Sequence, residues 1–380
     1  MATTFKTFSS NDIVSTRTLL HEAIPVTGTI VSGTYGTFPD EENIKNYSHK
    51  YFQSVYDYPY LSSSANHIFD ISFGYGASSV YSNSAGDGGA TTAQNKKHNI
   101  YYQMAQVLMG HEADGTIKQF KVPGSSVVMD TAIFVTFSRL LVKDEIKKGS
   151  FNFRFATASA YDNDFEHIRK WADTNAANNF YTDSPAGEYA ILTSSTHRGD
   201  DPWLGGGTGE AGGTEQPGGG NGYAGLAQGL LFYQAGIMVL SGSRHLFNLM
   251  TGSVQAGAPQ DNAANPGTFN AMATGSEISE IADAIRHRVD YISFNNTTEL
   301  NSTIHFCRVN HNDFNYSANP TYLSASKIRI KDSSLDQSAT YVTTIGLYSA
   351  DNELLAAAKL SEPLKKTPDN EMTLRVRLDY

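Results

Sequence analysis

The sequence predicts an α+β fold: a mixed or antiparallel β-rich body with a few helices and long Gly-rich loops, followed by a C-terminal antiparallel β module. Short runs rich in Val, Ile, Phe and Tyr recur along the 380-residue chain between Gly, Pro, Asn and Asp clusters. Few segments space their apolar residues as a helix does. The last third is the densest in β patterning. It ends on MTLRVRLDY, where Leu374, Val376, Leu378 and Tyr380 alternate with Thr373, Arg375, Arg377 and Asp379. That is the pattern of an antiparallel strand with one buried face. The expected division is an α+β body over 1–290, with a Gly-rich insertion at about 195–224, and a β-rich attachment module over 291–380.

The elements follow in order. A strand region is expected over 13–33, bounded by Pro25 and Gly33. A helix should follow Asp40, because Glu41 and Glu42 suit a first turn and Ile44, Tyr47, Tyr51, Phe52 and Val55 recur at helical spacing. Residues 82–96 are small and polar and read as an exposed loop. Ile100, Met104, Val107 and Leu108 make the stripe of a helix over 97–109 that Gly110 stops. Strands are expected at 131–142 and 151–157. Phe165, Ile168 and Trp171 stand three apart and suggest a short helix within 163–181. Strands at 188–193 and 229–240 flank the Gly-rich stretch 205–222, which has little side chain to bury and reads as a loop or arm. A second small-residue loop covers 251–274. The clearest helix is 277–290, capped by Ser276, with Glu277 and Glu280 in its first turn and Arg286 and Arg288 in its last. Strands follow at 302–309, 326–331, 340–348, 353–360 and 372–380, with Asp351-Asn352 turning one hairpin.

Composition narrows the function. Charged residues are 17%, below the roughly 25% of soluble domains, while Tyr (21) and Phe (20) are abundant. Interfaces favour such a balance, and so do strands. The net charge of −10, without a Lys/Arg-rich run, argues against nucleic-acid binding. No apolar stretch is long enough to span a membrane, and MATTFKTFSSND has no signal-peptide core. Cys307 is the one cysteine, so no internal disulfide can form.

Candidate chemistry is sparse. GTGEAG at 207–212 matches a dinucleotide fingerprint by letter but follows Asp201-Pro202-Trp203 rather than an apolar strand. His21-Glu22 and His111-Glu112 each lack the second histidine of a zinc-protease helix. Asp162, Asp164 and Glu166 lack the glycine and final glutamate of a calcium loop. His305, His311 and Asp313, with Cys307 on the face of His305, form the densest polar cluster, a metal or acid/base candidate. Its simpler reading is a turn, because Asn310, Asn312, Asp313 and Asn315 bond neighbouring amides. Tyr56, Tyr58, Tyr60 and Trp203 could stack on sugars, or YDYPY could be a rigid loop packed on its own core. The expectation is no catalytic, cofactor-binding or metal-binding residue, no cofactor, and no enzyme activity.

Several segments together carry a resemblance: RTLLHEAIPVTGTIVSGTYG (17–36), NIKNYSHKYFQSVYDYPYLSSSANHIFDISFGYG (43–76), NIYYQMAQVLMG (99–110), SRLLVKDEIKKGSF (138–151), GLLFYQAGIMVL (229–240), and the terminal FNNTTELNSTIHFCRVNHNDFNYSANPTY with TTIGLYSADNELLAAAKLSEPLKK. They resemble structural proteins of contractile-tailed marine bacteriophages, notably cyanophages. The resemblance implies a virion structural protein of the tail, at the baseplate or its periphery, made and assembled in the host cytoplasm. Its partners would be other tail and baseplate proteins, in a symmetric homo- or hetero-oligomer, with no nucleic acid and no membrane insertion. Neck, collar, fibre-attachment and receptor-binding roles are the alternatives, and a cell-envelope hydrolase is a further one.

Overall fold

The computed structural model describes residues 5–27, 42–79, 81–82, 92–123, 128–156, 168–198, 227–242, 273, 276–317, 323–324, 327–328, 333 and 335–380. The chain divides into two compact units, Met1–Leu20 with Glu299–Tyr380, and His21–Thr298. The N-terminal residues thus belong with the C-terminal part. The elements are β1 (Ile13–Thr27), β2 (Ile44–Asn46), β3 (Gln53–Tyr56), β4 (His67–Tyr75), α1 (Thr92–Leu108), β5 (Thr131–Phe137), the single turn α2 (Arg139–Val142), β6 (Glu145–Ile146), β7 (Asn152–Ala156) and β8 (Ile168–Ala172). They continue with β9 (Tyr181–Ser184), β10 (Gly187–Arg198), β11 (Ala227–Phe232), β12 (Ile237–Ser241), α3 (Ile278–Arg286), β13 (Val289–Val309), β14 (Leu323–Ser324), β15 (Lys327–Ile328), β16 (Thr340–Tyr348), β17 (Leu354–Lys366) and β18 (Met372–Asp379).

In the His21–Thr298 unit the strands lie in the order β13-β7-β8-β10-β11-β12-β5-β4-β3-β2. The ladders joining them are antiparallel. The β-rich antiparallel body expected from the sequence is therefore present. Its sheet is curled. Phe137 of β5 lies 5.7 Å from the ring of Phe151, beside β7, and 5.2 Å from that of Phe294 on β13. Yet β8, β10, β11 and β12 separate β7 from β5 in the order. Strand twist, accumulated over many strands, brings the far parts of the sheet together. Ile285 of α3 meets Phe69, Ile71, Phe155 and Val289 around a residual apolar cavity of about 10 Å³. A space that small and without polar lining stays dry.

Helix α1 packs directly on β4. A Cβ at Gly74 would lie 2.6 Å from the carbonyl oxygen of Lys97 and 2.8 Å from the amide nitrogen of Tyr101. Only glycine lets the two backbones approach this closely. Tyr101 is fully buried, and its hydroxyl donates to the Met129 carbonyl at 2.9 Å.

Several expectations give way to the structure. The helix expected after Asp40 is the hairpin β2–β3, with Asn46 opposite Gln53 and Lys50 in the left-handed region at φ 57°. Ile44, Gln53 and Val55 point inward, while Tyr47, His49 and Phe52 stack over the turn, with ring separations of 4.7 to 5.2 Å. Tertiary packing outweighed the helical spacing: its aromatic residues pack on one another at the turn instead of lining one helix face. The helix expected within 163–181 is replaced by β8, a central strand between β7 and β10. Both of its faces are buried, so alternation is lost and a three-residue step is all that remains. The expected strand 229–240 is a hairpin turning through Tyr233 to Gly236, which has φ 66°. The strand expected over 131–142 stops at Phe137 and gives way to α2. Helix α1 begins at Thr92, five residues before the expected 97, and takes in the end of the loop read over 82–96. Helix α3 starts after Glu277 rather than Ser276 and ends at Arg286, where the chain turns into β13. The Gly-rich stretch 205–222 and nearly all of 251–274 lie outside the described residues.

In the other unit, β18 pairs with β13 from Ser302↔Asp379 to Val309↔Met372. Val376 is its buried side chain, in an alternating pattern of burial, as the one-face reading expects. The N-terminal segment runs along β13. Arg17 pairs with Glu299, Lys6 with Asp313, and Asp12 with Arg308 at 2.6 Å. Phe8 packs at a tilt on His305, ring centroids 5.3 Å apart.

Candidate functional site

The hairpin β16–β17 forms a two-stranded sheet of its own. Its register runs from Thr340↔Lys366 to Tyr348↔Leu354. The turn is set locally. The Ser349 hydroxyl accepts from the amides of Asp351 and Glu353, both at 3.2 Å, and Asn352 takes φ 64°. The expected Asp351-Asn352 turn is thus present, and Asn tolerates that backbone well. Between Val342↔Leu364 and Thr344↔Lys359 the register shifts. The surplus residues of β17 include Pro363, which lacks an amide hydrogen and is tolerated at such a bulge.

The root of this ribbon is anchored by a buried cation. Lys366 is fully buried, and its ammonium donates to the His311 carbonyl (3.0 Å), Asn315 Oδ1 (2.8 Å) and the Thr367 carbonyl (2.6 Å). Three donors meet three acceptors, which offsets the cost of burial. Thr340 adds a bond to the Phe314 carbonyl at 2.6 Å. Along the ribbon, large apolar side chains face solvent: Leu355 is 69% exposed, Leu354 56% and Tyr341 51%. Tyr348 is exposed as well, its ring centroid 4.8 Å from that of Phe5. An isolated two-stranded hairpin is at best marginally stable, so a ribbon that leaves large apolar side chains in solvent gains from contact with another surface.

The His305, His311 and Asp313 cluster does not converge. His305 faces Phe8, and His311 Nδ1 lies 3.2 Å from Glu371. Asp313 accepts from the Asn310 amide at 3.2 Å and from Lys6, whose hydrogen bond holds its carboxyl below the usual range. Asn315 Nδ2 donates to the His311 carbonyl at 2.8 Å. This is the turn reading, and the turn is what receives Lys366. Cys307 is half-buried, and burial pushes its thiol upward, with the nearby Asp12 adding to the effect. Thiolate chemistry is thereby disfavoured.

Other sequence candidates sit apart. His21 Nδ1 lies 3.3 Å from the Asn296 carbonyl, and the Glu22 amide bonds Asn296 Oδ1 at 3.1 Å. Glu112 belongs to a tight turn closed by its amide on the Thr116 carbonyl at 2.8 Å. Asp162, Asp164, Glu166, Trp203 and the 207–212 run lie outside the described residues. Among the described residues, no three His, Cys, Asp or Glu side chains come together to hold a metal ion. No helix among them is long and apolar enough to cross a membrane.

Sequence reasoning missed the buried charges of the larger unit. Arg286 donates to Asp283 Oδ1 at 2.5 Å and to Gln53 Oε1 at 3.1 Å. Asp173 accepts from the amides of Gly149 (2.7 Å) and Phe151 (2.9 Å) and from the Tyr233 hydroxyl (2.9 Å). Burial still raises its carboxyl above the ordinary value. Lys97 is enclosed, bonded to the Ala273 carbonyl at 2.6 Å, and burial lowers its pKa to about 8 against the pull of Glu277 and Glu280. These groups brace turns and helices. One signal was present, the three-residue spacing of Asp283 and Arg286 on one helix.

No protein-family model matches the chain, and no curated protein and no solved structure matches it.

Proposed function

We propose that this chain is a structural subunit of a contractile-tailed bacteriophage virion, a component of the tail baseplate or its periphery, and that it acts through subunit–subunit contacts rather than by catalysis. The observation that carries this reading is the β16–β17 ribbon. It is held firmly at its root by Lys366, yet presents Tyr341, Leu354 and Leu355 to solvent. Strand pairing plus apolar contact is a general way for one chain to dock on another. The resemblance of the terminal segments to cyanophage tail proteins supplies the particle. Quantitative mass spectrometry of purified particles tests it by counting this chain against the major capsid and tail-tube proteins. A count near six, or a small multiple, fits a baseplate or collar component built on the tail's symmetry. A count in the hundreds indicates a shell or tube protein. Absence from the particle overturns the proposal.

A further inference from the structure

The loop joining β3 to β4 is closed at its neck and exposed at its tip. The Asp57 amide donates to the Asn66 carbonyl at 3.1 Å. Asn66 returns its amide to Asp57 Oδ1 at 2.7 Å and its side-chain nitrogen to Oδ2 at 2.9 Å. Inside the loop, Ser62 bonds back to Pro59 at 2.8 Å, and Tyr60 is tied to the Glu42 carbonyl at 3.0 Å. This frame holds out Leu61, 85% exposed, and Tyr58, 52% exposed. A loop so braced has little ordering entropy left to lose on binding, and rigidly scaffolded loops are where recognition residues concentrate.

At the base of the loop a half-buried group of rings and polar atoms lies on the outer face of β2–β4. The Tyr56 ring is 6.0 Å from that of Tyr60 and 5.5 Å from that of His67. Asp70 Oδ1 receives the Ser54 hydroxyl at 2.5 Å and His67 Nε2 at 2.8 Å. The carboxylate only accepts, so Nε2 is the donor in this contact. Asp70 Oδ2 accepts no hydrogen bond among the described residues, and the side chain is 29% exposed. This is not a hydrolytic triad. Ser54 is buried and gives its proton to the carboxylate, while the imidazole meets that same oxygen and not the serine.

We infer that this loop and its base bind a neutral sugar ring. A pyranose has C–H faces that pack on aromatic rings and adjacent hydroxyls that donate to a carboxylate. Tyr60 and Tyr56 supply the first contact, Asp70 Oδ2 the second. An aromatic surface with a few fixed polar groups is the usual composition of a small-molecule site. The Asp70 carboxylate and the net charge of −10 disfavour an acidic sugar. The site goes beyond the proposed assembly role and does not depend on it.

The test uses the purified full chain on an array of neutral glycans, followed by saturation-transfer NMR with the methyl glycoside of the best hit. Tyr60→Ala and Asp70→Asn are compared with the parent at matched melting temperature. Tyr60 is only half-buried and Asn preserves the shape at 70, so both variants are expected to fold. Binding by the parent, weakened at least tenfold in each variant, supports the site. Equal binding by parent and variants overturns it, as does failure of the parent to bind any neutral glycan. Loss of particle incorporation in these variants, without glycan binding by the parent, overturns it in favour of a protein contact.

Discussion

In the interior of the His21–Thr298 unit, groups that prefer water are buried with partners; along the β16–β17 ribbon of the other unit, groups that prefer burial stand in water. Arg286 and Asp283 are almost wholly enclosed and bonded to each other, and Arg286 also to Gln53. Leu355, by contrast, is mostly exposed. The Arg286–Asp283 pair of the first region finds its partners within one chain. The second has a completed root and an uncompleted surface. Stability and contact are therefore separable here, and substitutions should fall cleanly to one side or the other.

The largest effect is expected at Arg286. Arg286→Leu leaves Asp283 buried without its cation and should destabilise by ~3–5 kcal/mol, read by urea unfolding of the purified chain. Replacing both partners with leucine should cost less than the single change, because no unpaired charge remains. A double variant as damaged as the sum of the singles would show that the pair is not coupled.

Lys97 sharpens the same side through pH. Its folded pKa of about 8 lies below the ordinary 10.5. Between those values the unfolded chain binds the extra proton, so stability rises with pH. Relative to Lys97→Met, the parent should gain steadily from pH 8 to 10.5, by at most ~3 kcal/mol. A constant difference across that window would mean that the ammonium stays charged in the fold. Gly74→Ala ranks next. The added methyl meets α1 backbone at 2.6 Å and should cost ~1–3 kcal/mol, lowering the melting temperature in calorimetry.

The smallest effect on stability, and the most informative about function, is expected at Leu355→Ser. The isolated chain should change by no more than ~0.5 kcal/mol, while incorporation into particles falls in a complementation assay. Full incorporation would move the docking surface elsewhere on the chain.

Much of the fold was legible where a segment's own pattern decided it. The alternation of 372–380, the strand 340–348 and the Asp351-Asn352 turn all appear, because an exposed face preserves the period of two and a local Asn relieves the backbone. The spacing of 44–55 and 163–181 suggests helices where strands form, because turn aromatics fall at helical intervals in the first and burial of both faces hides alternation in the second. Of the candidate sugar site, Tyr56 and Tyr60 were visible within a tyrosine run. The meeting of Ser54 with Asp70 was not, since it exists only through the β3–β4 register.

Sequence by itself determined elements with one solvated face and the Asp351-Asn352 turn, since those depend on neighbours a few residues away. Tertiary structure alone decided which strands adjoin, that the sheet curls until Phe137 reaches Phe294, and which charges are enclosed. The physical reason is range. Burial and ladder hydrogen bonds join residues far apart in the chain, as Gln53 and Arg286 are joined, and no local pattern records that meeting.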